Sequence, residues 1–86
     1  VEQRITMYKV IKYKEGSGIF INIEKEIINE DEAYEYFEEL IREELEYEIG
    51  EGLLSDQELQ NIYANMDYRY EDENNVILLQ IEEINE

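Results

Sequence analysis

The sequence predicts one α+β domain in the order β-β-α-α-β-β, an antiparallel sheet packed against two helices. Three observations predict it. Two runs near the start and one near the end alternate apolar with polar residues, the period of strands, and a last short run is almost wholly apolar, as a buried strand is. Between them, apolar residues recur at three- and four-residue intervals behind two helix-capping sequences. The 86 residues, none of them cysteine, suffice for one core held together by apolar burial alone, so residues 1–86 are expected to form a single domain.

The first strand is expected over Arg4 to Tyr13, with Ile5, Met7, Ile11 and Tyr13 on one face and Tyr8 and Val10 on the other. Whether Val1 to Thr6, which precede Met7, are native is left open. Glu15-Gly16-Ser17-Gly18 supplies glycines that adopt positive φ, and Ile19 to Ile23 follows as a second strand with Ile19, Ile21 and Ile23 on one face, making a hairpin. A phosphate-cradling role for these glycines lacks the Lys-Ser or Lys-Thr pair that such loops need, so a plain turn is expected.

Asn29 can cap a first helix, with Glu32 at its third position and acids suited to the dipole in the first turn. Ala33, Phe37, Leu40, Ile41 and Leu45 form its inner stripe, widened or extended by Tyr34, Tyr36 and Ile49, and Gly50 is placed to end it as a left-handed C′ residue. A helix of about 19 residues, near 28 Å long, follows from these limits. Ser55-Asp56-Gln57-Glu58 is a second capping box, with Leu54 and Leu59 as a hydrophobic staple. Leu59, Ile62, Tyr63 and Met66 give this helix its inner face, and it is expected to fray near Asn65. Met66, Tyr68 and Tyr70 then alternate with Asp67, Arg69 and Glu71 in a strand with one solvated face. After the turn Glu71 to Asn75, Val76 to Ile81 is apolar on both faces, as a central strand is, and pairs with Asp67 to Glu71. Strand order is not fixed by these patterns.

The formal charge of −17 is unevenly placed. Residues 1–25 hold five cations against three acids, a net of +2, whereas residues 26–86 set only Arg42 and Arg69 against 21 acids, a net of −19. Direct nucleic-acid binding and anionic membranes are disfavoured, because both demand cations. Apolar runs such as Ile19–Ile21 and Val76–Leu79 fall far short of the roughly 20 residues needed to cross a bilayer, and no signal peptide is read. With 43% apolar residues in periodic order, the acidity is expected on a folded surface and not in a disordered tail.

Catalysis is not expected. Histidine and cysteine are absent, which removes the commonest general base and thiol nucleophile, and nearly all zinc chemistry. Ser17 and Ser55 are accounted for as turn and cap, and a carboxylate pair carries no weight where 24 acids guarantee one by chance. No cofactor is implied. Asp67 to Asn75 lacks the alternating oxygen ligands and central glycine of a helix-loop-helix calcium loop, so no metal site is expected.

The opposite face of the first helix is more informative. Glu35, Glu38, Glu39, Glu43 and Glu46 stand three or four residues apart, a row of neighbouring negative charges that Arg42 only partly relieves. Such a row approximates one phosphate strand and costs helix stability without serving the core; the ordinary alternative is a solvated face. In size, charge, this row and the acidic turn Glu71-Asp72-Glu73, the chain resembles the small acidic DNA-mimicking inhibitors of phages and mobile elements, of anti-CRISPR or anti-restriction type. The resemblance implies a noncatalytic inhibitor in the cytoplasm of a bacterial or archaeal host, most plainly an anti-CRISPR protein. Its carboxylates would occupy the basic nucleic-acid channel of a CRISPR or restriction effector, with Tyr34, Tyr36 and Tyr68 as aromatic anchors. The alternative is a structural or regulatory adaptor that pairs with another protein through a sheet edge, sought near Lys9, Lys12 and Lys14. Oligomeric state is not legible.

Overall fold

A computed structural model describes residues 6–85 and has the elements β1 (Thr6–Gly16), β2 (Ile19–Ile27), α1 (Glu30–Glu44), α2 (Glu46–Gly50), α3 (Asp56–Asn65), β3 (Asp67–Glu71) and β4 (Asn75–Asn85). The strands form one antiparallel sheet in the order β2-β1-β4-β3. The α+β class and the pairing of β3 with β4 are as expected, and β4 is indeed internal. Arg4 and Ile5, the expected start of the first strand, lie outside the described residues.

Helices cover one sheet face. Val10, Ile27 and Leu79 from β1, β2 and β4 are buried against Ala33, Phe37, Leu40, Ile41 and Leu45, so every residue of the expected inner stripe of α1 reaches the core. Leu54, Leu59, Ile62 and Tyr63 pack on this cluster from the side, the staple pair among them, but no residue of α3 is fully buried. The molecule measures 51 × 30 × 16 Å, room for one sheet and one helical layer. Met7, Ile11 and Tyr13 of β1 therefore line the other face, where they are only half-buried.

The caps form where the sequence puts them. Asn29 Oδ1 accepts from the Glu32 amide at 3.2 Å, and Ser55 Oγ from the Glu58 amide at 3.1 Å. The ends differ from expectation. The first helix breaks at Leu45 (φ −104°, ψ 18°), leaving α1 and the five-residue α2 in place of one straight rod. After Ile41 the inward positions are Glu44, Leu45 and Glu48, of which only Leu45 is apolar, and Ile49 is 37% exposed. The apolar stripe that would hold a longer helix to the sheet stops there. The left-handed glycine that follows is Gly52 (φ +70°), two residues later than the expected Gly50. Likewise α3 ends sharply and does not fray, because Met66 takes a left-handed cap conformation (φ +56°) and its amide bonds the Ile62 and Tyr63 carbonyls.

At the β1–β2 turn, Ser17 as well as Gly18 has positive φ, matching the right-handed strand twist. Gly16 is held at φ +141° with Asn74 and Asn75 pressed against the place where a Cβ would stand. Nothing lies near Gly18. Gly16→Ala should therefore cost about 3 kcal/mol or more in urea unfolding, from strain plus a backbone clash, and Gly18→Ala about 1 kcal/mol, from its left-handed φ alone.

Candidate functional site

Helix periodicity divides α1 cleanly: the stripe that packs on the sheet leaves Glu35, Glu39 and Glu43 exposed, and Glu46 continues the acids onto α2. Steps of four residues separate Glu35, Glu39 and Glu43 by about 6 Å along the axis. Glu38 belongs to the same side but is half-buried, and its carboxylate meets the Arg42 guanidinium at 3.7 Å. Arg42 is the only cation on α1, and that contact is its only ion pair among the described residues. The break at Leu45 turns the row, so Glu46 starts a new segment and does not extend the line.

All three tyrosines expected as anchors are half-buried. Tyr34 is half-buried, its hydroxyl donating to Met66 Sδ at 2.8 Å, and Tyr36 is half-buried with the Lys25 ammonium 4.7 Å from its ring centre. Tyr68 lines a groove of about 350 Å³ between the α1–α2 junction and the β3–β4 end of the sheet, with Glu44, Glu48, Tyr70, Asp72 and Lys14 among its other walls. Its phenol is pushed above the ordinary value of 10.0, first by burial and then by Glu48 and Glu44. One carboxylate oxygen of Glu48, Oε2, is buried with no hydrogen-bond partner among the described residues.

The expected acidic turn is split. Asp72 joins the groove, whereas Glu71 lies across the sheet beside Arg69, Val76 and Leu78 on the uncovered face, and Glu73 is exposed in the turn. Asp72 also organises that turn. Its Oδ1 accepts from the amides of Asn74 and Asn75, each at 2.8 Å, and its Oδ2 from the Tyr70 hydroxyl at 2.9 Å. The Asn74 amide first, and then Tyr70, hold its carboxyl below the ordinary value of 3.8. A depressed carboxylate contributes stability that is present above the unfolded value and lost as pH falls through the folded one. Asp72→Asn should flatten the acid limb of the stability–pH curve below about pH 4, measured by urea midpoints.

Glu44 was not singled out by its position in the sequence. It is 10% exposed and takes both lysines of the buried side of β1, Lys14 at 3.0 Å and Lys12 at 4.0 Å. The sequence did carry a signal: Lys12 and Lys14 alternate with Val10 and so face the helices, where a cation needs an acid. These lysines lie on an internal strand. The edge strands are β2 and β3, so the Lys-bearing edge expected near Lys9, Lys12 and Lys14 is not an edge, and Lys9 meets Glu24 of β2 at 4.0 Å. Glu44→Gln leaves two lysines facing a core. It should cost about 2–4 kcal/mol, whereas replacing Lys12, Lys14 and Glu44 together by Met should recover most of that loss, read from urea unfolding.

Among the described residues, no group of three or more acidic side chains converges as a metal site, and no helix is long and apolar enough to cross a membrane. Comparison with family models, with curated proteins and with solved structures finds no match to this chain.

Proposed function

We propose that the chain is a noncatalytic inhibitor that blocks a nucleic-acid-binding effector by occupying its basic channel, with a CRISPR effector as the first target and an anti-CRISPR role as the reading. The observation that carries it is the face of α1 opposite the core, where Glu35, Glu39 and Glu43 are exposed at helical spacing and make no ion pair among the described residues. Carboxylates so placed can accept charge-assisted hydrogen bonds from Arg and Lys side chains that otherwise hold phosphates. The groove at the α1–α2 junction sets Glu44, Glu48 and Asp72 against Lys14 alone, and Tyr68 and Tyr70 supply aromatic walls over which a partner cation could lie.

The position of β2 favours a second reading, the adaptor that pairs through a sheet edge. β2 is an edge strand with Ile19, Phe20 and Ile23 exposed, so this reading moves from the lysines of β1 to the isoleucines of β2.

Competition with DNA for a purified CRISPR effector separates the two. Inhibition through α1 should weaken steeply as NaCl rises and should be lost in Glu35→Lys/Glu39→Lys/Glu43→Lys, which leaves the Glu38–Arg42 pair in place. Inhibition that survives both salt and charge reversal contradicts the acidic-surface reading.

A further inference from the structure

We infer that the free edge of β2 pairs with β2 of a second copy of this chain, antiparallel about a twofold axis at Ile21. The inference is independent of the inhibitor reading, since it uses the opposite edge of the molecule from the groove.

Hydrogen-bond direction is fixed across the whole sheet by one bond. The Ile81 amide donates to the Met66 carbonyl, so Ile81 and the alternate residues Leu79 and Ile77 turn their backbone groups toward β3. Val10 sits opposite Ile81 and therefore bonds away from β4, toward Lys25 of β2. By the same alternation Ile19, Ile21 and Ile23 bond inward to β1, while Phe20, Asn22, Glu24 and Glu26 turn their N–H and C=O groups outward. These outward groups are a template for another strand.

The side chains choose the strand and its register. Ile19 to Ile23 is five residues without a charge, proline or bulge to blunt the edge, and Ile19, Phe20 and Ile23 are 48%, 66% and 39% exposed. α1 covers Ile27 but not this half of β2. Centred on Ile21, a second β2 places Ile21 against Ile21 and Ile19 against Ile23 on one face, with Phe20 against Asn22 on the other. Six isoleucines then meet, both Phe20–Asn22 pairs exchange backbone hydrogen bonds, and no like charges stand opposite. Registers centred on Glu24 or Lys25 set like charges face to face, and one centred on Ile23 sets Ile21 against Lys25.

Charge allows a second copy here and offers little to a basic partner. From Thr6 to Ile27 the hairpin sets Lys9, Lys12, Lys14 and Lys25 against Glu15, Glu24 and Glu26 and is nearly neutral, whereas the rest of the chain is strongly acidic, so the hairpin is where two such chains can approach. In the joined sheet the two α1 helices stand on the same face about four strand spacings apart, roughly 19 Å, more than twice the ~8 Å screening length at physiological salt. The paired segment is short, so the dimer depends on concentration.

The absence of cysteine makes the test clean. Ile21 would form a non-hydrogen-bonded pair with its own copy, Cα atoms about 4.5 Å apart, within disulfide range. Ile21→Cys should oxidise in air to a disulfide-linked dimer at least on the order of tenfold faster than Ile28→Cys, a control 70% exposed just beyond the strand. A mixture of Phe20→Cys and Asn22→Cys should link to each other in preference to themselves. For the unsubstituted chain, light scattering should give a mass rising from 10.4 kDa toward twice that value with concentration, and rising further as NaCl screens the repulsion. Equal linking of Ile21→Cys and Ile28→Cys, or a mass of 10.4 kDa at every concentration and salt, overturns the proposal. So does amide protection in β2 that appears only when a basic effector is added, which would assign the edge to that partner.

Discussion

The seam between α1 and the β1–β4 pair is what the rest of the molecule depends on. Phe37 and Ile41 from the helix, and Val10 and Leu79 from the two central strands, are its fully buried large side chains. No disulfide reinforces them in a chain of 86 residues. Because the core is a single layer between one helix and one sheet face, the helix has a second face, and that face carries Glu35, Glu39 and Glu43. The residues that hold α1 down and those that present charge outward are the two sides of one periodic pattern.

Glu44 ties the seam to the charge distribution. It draws Lys12 and Lys14 under the helix, so two of the seven cations are spent inside, and the outer acids face solvent with little to neutralise them. The exposed field is therefore more one-sided than a map of charge along the chain implies. The basic character of the first hairpin is largely internal, and what remains outside on β2 is apolar, alternating with acids and one lysine that lies over Tyr36. The molecule thus has two dissimilar free surfaces, an acidic helix face and a strand edge uncharged from Ile19 to Ile23, which respond oppositely to salt.

Local chemistry made most of the elements legible. Asn29 and Ser55 announce helix starts because short polar side chains of this kind reach orphan amides, and alternation of Tyr68 and Tyr70 with Asp67, Arg69 and Glu71 announces a strand because side chains on a pleat alternate. Features set by contacts distant in sequence were harder to see. The order β2-β1-β4-β3 depends on β4 returning to pair with β1, which no neighbouring residue specifies. The break at Leu45 falls beside Glu44, which pairs with a lysine thirty residues earlier, and once the chain turns there, Gly52 and not Gly50 meets the left-handed position. The row of acids on α1 and its partial relief by Arg42, an i,i+4 neighbour of Glu38, were legible as a pattern, but the loss of Glu71 to the far face required the fold.

The acidic face of α1 is held in place against its own repulsion, at a cost to folding that the core offsets. Urea unfolding of the unmodified chain across a range of NaCl concentrations measures that cost, urea being uncharged. The urea midpoint should climb as salt screens the surface and level off once the screening length falls below the ~6 Å spacing of the helix acids. A midpoint that stays flat or falls with added salt would contradict it, because the acids would then cost the fold nothing.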